Sequence, residues 1–159
     1  VSFDGEVHVV LVEPEIPHNT GAIGRLCVAT GATLHLVGRL GFHIDERSVR
    51  RAGLDYWQFI KIEQHPDFEA FKKRYEGPIY LYSARAKEPY TKAPIPRRIA
   101  LVFGSETRGL PASLLQGEHP AYRIPIYDER VRSLNLATAV GIVLYDVVRQ
   151  LDQLEVPES

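Results

Sequence analysis

Residues 99–111 read IALVFGSETRGLP, and the fold turns on how the two halves of this stretch are joined. Ile99 to Phe103 is short, β-branched and aromatic, with no polar alternation. That is the pattern of a strand covered on both faces in the middle of a sheet. Gly104, Ser105, Glu106, Thr107, Arg108 and Gly109 follow directly. In an open α/β sheet, ligands collect beyond the carboxyl ends of the central strands, where loops diverge. The charged turn is therefore the first place to look for a site.

Working outward, VHVVLV (7–12) and TLHLVG (33–38) predict strands separated by a helix over 19–30, with Asn19 as its N-cap. Residues 44–53 read as helix, WQFIKI (57–62) as strand, and PDFEAFKKRYEG (66–77) as an amphipathic helix opened by Pro66 and closed by Gly77. PIYLYS (78–83), IALVFG (99–104) and YRIPI (122–126) supply further strands, and roughly 134–154 is a long helix. This alternation predicts an α/β fold with a mostly parallel sheet and helices packed on its faces. The proline-rich AKEPYTKAPIPRR (86–98) reads as a surface connection, and the 159 residues as one domain.

Composition narrows the function classes. A single cysteine, Cys27, forbids an internal disulfide, and the six histidines form neither a helical ligand pair nor a Cys-His cluster, so no metal is expected. No stretch approaches membrane-spanning length, and VSFDGEV has neither a basic start nor an apolar signal core, which points to a cytoplasmic protein. A net charge of −1 argues against a surface coated for nucleic acid. Arginine and lysine nevertheless cluster at 47–51, 72–74, 85–87, 97–98 and 130–132. Solvated faces and a phosphate-tracking surface both account for these clusters. G-x-G-x-x-G after the first strand, the P-loop pattern and G-x-S-x-G are all absent, which disfavours the common nucleotide-binding and hydrolase folds.

Three segments carry the chemistry. In PEIPHNTGAIGRLC (14–27), two glycines and a cation occupy the early turns of a helix, where glycine lowers stability and a positive charge opposes the dipole. Arg25 could fork onto a phosphate or close a structural ion pair. The turn after Phe103 offers Glu106 and Arg108 beside glycines that free backbone groups for a ligand. In YRIPIYDERVRSLNLATAVGIVLYDVVRQL (122–151), Ser133 is the expected N-cap, with Asn135 in the first turn of a helix apolar on nearly every side. A helix without a wet face calls for a subunit partner, so a homodimer through the C-terminal helix is expected. Asn19 and Asn135 are the only asparagines in the chain.

Taken together, NTGAIGR (19–25), LVFGSETRGLP (101–111) and IPIYDERVRSLNLATAVGIVLYD (124–146) resemble, in order and separation, the three motifs of the SPOUT class of RNA methyltransferases. RRAGLDYW (50–57) adds a stretch typical of one subgroup, the minimal tRNA (cytidine/uridine-2′-O)-methyltransferases of the wobble nucleotide, position 34. The resemblance implies a C-terminal deep trefoil knot. It implies S-adenosylmethionine as methyl donor, leaving S-adenosylhomocysteine, at Tyr82, Gly104, Ile124, Ser133 and Leu134. It places catalysis on Arg25, Glu106, Ser133 and Asn135, and tRNA contacts on Asn19, Arg25, Arg108 and Arg132. A 2′-O-methyltransferase of another tRNA position or of rRNA, and a non-catalytic RNA-binding protein of the same fold, are the alternatives it leaves open.

Overall fold

The protein is described by a computed structural model over residues 5–44, 47, 51 and 56–152. Seven strands form one sheet: β1 (Glu6–Val12), β2 (Thr33–Val37), β3 (Ile62–His65), β4 (Ile79–Tyr82), β5 (Glu88–Pro89), β6 (Arg98–Phe103) and β7 (Ala121–Arg123). The order is β3-β2-β1-β6-β4-β7-β5, and all six pairings are parallel. The expected strand IALVF is β6, seated between β1 and β4 with Ile99 to Phe103 all buried. A strand at the centre of a parallel sheet has no wet face, which is why its sequence shows no alternation.

Helices α1 (Pro17–Thr30) and α4 (Leu136–Leu151) pack together on one face, enclosing Val9, Leu11, Leu34, Leu101, Ile23, Val140 and Leu144. On the other face, α2 (Phe68–Arg74) lays Phe71 against Val10, Val37, Leu81 and Val102. Each such buried side chain contributes about 1.5–3 kcal/mol by leaving water. Cys27 is sealed in the first cluster, and burial pushes its thiol up to about 12. Among the described residues no helix is long and apolar enough to cross a membrane.

Several local expectations give way to tertiary context. Helix α1 begins at Pro17, not Asn19, and its N-cap is Ile16, whose side chain offers no cap. The N-cap of α4 is Asn135, which accepts from the Thr138 N–H, so Ser133 lies two residues before the cap. The stretch 57–62 divides into a 3-10 turn, Trp57–Phe59, and the start of β3, where Ile62 pairs with Leu34. Helix α2 is shorter than expected and is capped by Asp67, which accepts from the Ala70 N–H. YRIPI keeps strand pairing only to Arg123, and the proline-rich segment holds the edge strand β5. A further short helix, α3 (Ala112–Leu115), was not expected. The helix expected over 44–53 falls largely outside the described residues.

Parallel register also brings histidines together. His8, His35 and His65 stand on adjacent strands beneath α2, with His8 Nδ1 2.8 Å from His35 Nε2 and His35 Nδ1 3.0 Å from His65 Nε2. Desolvation, assisted by the neighbouring rings and Arg74, lowers the His35 pKa to about 3. Between about pH 6.5 and 3 the unfolded chain therefore binds a proton that the folded state refuses, so stability is present above this window and is lost as pH falls through it. The melting temperature is expected to drop from about pH 7 to pH 5, with a shallower slope in His35→Asn. Calorimetry at several pH values reads the slope independently of any packing loss in the variant.

Candidate active site

The entry to α1 is held from far along the chain. Ile16 cannot cap the helix with its own side chain, and Pro17 has no N–H to satisfy. The carboxylate of Glu106 fills this place: Oε1 accepts from the Glu15 N–H at 2.8 Å, and Oε2 accepts from the Ile16 N–H at 2.9 Å and from Asn19 Nδ2 at 3.2 Å. An anion at a helix N-terminus also meets the positive end of the dipole. The exchange is reciprocal, because Glu15 Oε1 accepts from the Thr107 N–H at 3.1 Å and from its hydroxyl at 2.6 Å. These bonds hold the Glu15 carboxyl below the usual range.

The loop carrying Glu106 is folded back on itself. Ser105 and Gly109 form an isolated antiparallel bridge, with the Gly109 N–H donating to the Ser105 carbonyl at 3.0 Å, and Gly109 takes a φ of 66°. A Cβ on Gly104 would lie 2.1 Å from the Gly109 carbonyl carbon and 2.2 Å from the Leu110 nitrogen. Backbone atoms cannot yield at that distance, so only glycine keeps this turn. Arg85, after β4, donates to the Leu110 carbonyl at 3.0 Å and ties the far side of the loop. By contrast, the space above Gly24 in α1 is taken by Ile60, with Cδ1 2.6 Å from where a Cβ would be, which gives that glycine a packing role.

Between the loops at the carboxyl ends of β4, β6 and β7 lies a cleft of about 680 Å³. Tyr82, Phe103 and Ile124 give it apolar walls, the Gly104–Leu110 loop gives it exposed backbone, and Arg132, Ser133 and Leu134 close it from the segment entering α4. The Tyr82 ring stacks on Phe103 at 5.1 Å between centroids, and burial keeps its phenol protonated.

The expected site residues distribute as follows. Tyr82, Gly104, Glu106, Arg108, Ile124, Arg132, Ser133 and Leu134 all line this one cleft. Asn19 is 5% exposed and is turned inward: its amide donates to Glu106, and its Oδ1 accepts from Asn135 Nδ2 at 3.2 Å. The two asparagines thus join the starts of α1 and α4, a link that caps alone do not reveal. Arg25 stands on the exposed side of α1 with its guanidinium carbon 4.9 Å from the centre of the Tyr56 ring, outside the cleft lining of its own chain. Glu15, Thr107 and Arg85 were not anticipated, since their partners are loop groups that no spacing rule connects.

The arginine clusters are partly committed to protein. Arg98 donates to Glu6 through two nitrogens and to the Glu76 carbonyl, and Arg130 pairs with Asp128 at 2.6 Å. Arg108 and Arg132 remain exposed at the cleft.

Comparison with known proteins places this geometry in context. Residues 6–145 match the SpoU rRNA methylase family. The tRNA (cytidine(34)-2′-O)-methyltransferase of Escherichia coli strain K12 is 42% identical over 149 residues, covering 91% of this chain and 94% of that protein. The protein of the same name from Yersinia pestis is 42% identical over 153 residues, covering 91% and 94%. A solved structure concerned with 2-OH methylation of C/U34 on tRNA superposes with a TM-score of 0.89 at 39% identity, covering 93% of this chain and 97% of that one. An AdoMet-bound rRNA methyltransferase from Sinorhizobium meliloti superposes with a TM-score of 0.82 at 29% identity, covering 96% of this chain and 58% of that one. The chain belongs to the SpoU methylase family, and its parallel sheet is the SPOUT methyltransferase fold.

Glu106→Ala strips three donors of their acceptor, and a hydrogen bond to a charged group contributes about 1.5–3 kcal/mol. The variant is expected to lose at least about 2 kcal/mol in urea unfolding, with Glu106→Gln losing less because one acceptor oxygen remains.

Proposed function

We propose that this chain transfers a methyl group from S-adenosylmethionine to the ribose 2′-hydroxyl of the wobble pyrimidine, nucleotide 34, of tRNA, acting as a homodimer. The reading rests on the convergence of the Gly104–Leu110 loop, Ile124 and Ser133–Leu134 on one cleft. The 42% identity to tRNA (cytidine(34)-2′-O)-methyltransferases over 91% of the chain supports the substrate. The donor set suits the methyl donor. Tyr82, Phe103, Ile124 and Leu134 form flat apolar surfaces for an adenine, and the glycine turn, where no Cβ is tolerated, presents backbone N–H and C=O groups for its polar edge. S-adenosylmethionine, when bound, supplies an electrophilic methyl group on a positively charged sulfur.

The protein's part is alignment and charge control. Arg25 holds an RNA phosphate through its planar fork and stabilises the alkoxide that develops as the 2′-hydroxyl loses its proton. A guanidinium stays protonated in proteins, so Arg25 cannot be the base, and an RNA phosphate oxygen or a water accepts the proton. Arg108 and Arg132 follow the backbone at the rim of the cleft. Glu106, Asn19 and Asn135 act as positioning residues: they fix α1, and with it Arg25, against the loop and the start of α4.

Two features support the dimer. Arg25 lies outside the cleft lining of its own chain, so a neighbouring subunit must bring it to the reaction. The flanks of α4, with Ala137, Ala139, Ile142 and Val148 half-buried and Tyr145 48% exposed, form an apolar surface of the kind that a second copy covers. The chain from β7, beyond β4, must cross back over the sheet to reach α4 beside α1, and we take this return to be the threaded segment of a trefoil knot.

Incubation with tritiated methyl donor and total tRNA is expected to label the ribose of nucleotide 34. Label confined to a base or to another ribose position, or no label on tRNA at all, would overturn the substrate assignment. Arg25→Lys keeps the charge and loses the fork, so turnover should fall by about 10²-fold or more while the affinity for S-adenosylmethionine holds. Gly104→Ala should instead abolish methyl-donor binding, measured by calorimetry, and turnover with it.

A further inference from the structure

On the face of the sheet away from α1 and α4, the three aligned histidines form a directional chain. Glu6 Oε1 lies 2.6 Å from His8 Nε2, so that nitrogen carries a proton, and in the neutral tautomer His8 Nδ1 accepts. The group facing it, His35 Nε2, is therefore the donor, which leaves the His35 Nδ1 lone pair pointing at His65 Nε2, 3.0 Å away. Glu63 stands two residues before His65 on the edge strand β3. Its carboxylate oxygen, His35 Nδ1 and His65 Nε2 all lie within 4.8 Å of one another. Three Lewis bases, one of them an anion, thus converge with a single proton between them. Phe71 packs edge-on against both rings, at 5.0 and 5.5 Å, and fixes their orientation from above.

We propose that His35, Glu63 and His65 form a binding site for a zinc-type divalent ion, coordinated through His35 Nδ1, His65 Nε2 and the Glu63 carboxylate. Two imidazoles and a carboxylate are borderline donors that favour zinc over magnesium or calcium, which take all-oxygen sets. Three protein ligands leave one tetrahedral position for water. The surroundings match a metal site beyond the ligands themselves: His35 passes its other N–H to His8, and His8 passes its own to Glu6, the outer chain that fixes tautomer and ring orientation in zinc proteins. The charge of Arg74 opposes a dication, and Glu63 and Glu6 supply the compensating negative charge. Linear spacing hides the set, because its members come from β2 and β3 and meet only through register.

A metal here would tie the edge strand β3 to β2, outside the methyl-transfer cleft. The test is zinc binding by the full chain, first stripped with chelator, measured by competition with a chromophoric chelator and by thermal shift. One equivalent is expected, together with a zinc-dependent rise in melting temperature. Glu63→Gln, on the sheet edge where folding tolerates it, and His65→Gln should each weaken binding at least tenfold, and Glu6→Gln by about 10–100-fold through the outer chain. Cobalt in place of zinc should give the visible absorption of a four-coordinate ion in the wild type and lose it in Glu63→Gln. Absence of stoichiometric binding would overturn the proposal, as would affinity unchanged in Glu63→Gln, which would place any bound zinc on other histidines.

Discussion

The carboxylate of Glu106 holds the site together. It accepts from the backbone of Glu15 and Ile16 and from the Asn19 amide, and so joins a loop at the end of the central strand to the start of a helix about ninety residues earlier. Asn19 passes the connection to Asn135, and Asn135 caps α4. One anion thereby sets the relative positions of three segments that are remote in sequence. Glu15 returns the favour to Thr107, so neither side can move without breaking charge-assisted bonds on both.

The parallel sheet explains why these segments meet at all. Every described strand points the same way, so the loops after β4, β6 and β7 emerge on one edge. Their side chains need not be near in sequence to line one cavity. The glycine turn then fixes a strip of backbone in the wall, where the missing Cβ is as much a part of the surface as any side chain. Rigid placement of this kind suits a reaction whose demand is alignment of an oxygen with a methyl carbon.

The central strand and its loop were legible because burial on both faces leaves an uninterrupted apolar run, and the glycines behind it mark a turn. Tyr82, Gly104, Ile124, Ser133 and Leu134, singled out through the motif resemblance, line one cleft. The helix starts were read less well. Asparagine is the better cap by local preference, yet α1 begins earlier because Glu106 supplies from outside what Ile16 lacks. At α4 serine and asparagine compete for one role, and the backbone gives it to Asn135. WQFIKI looks strand-like by composition, but pairing with β2 starts only at Ile62, leaving Phe59 61% exposed. The histidine chain and the Glu15–Thr107 clasp stayed hidden for a common reason: both join groups that become neighbours only once strand order is known.

That order has a consequence for biosynthesis. β1, β2 and β3 can pair as soon as they are made, but β1 then shows an open edge whose partner, β6, is about ninety residues further on. A nascent chain paused before residue 98 would present Val7, Val9 and Leu11 on an unfinished border, an invitation to intermolecular pairing. Insertion of β6 closes that border and, within three residues of its end, delivers the glutamate that pins the first helix. Filling the centre of the sheet and anchoring the first helix are thus one event in the life of the polypeptide.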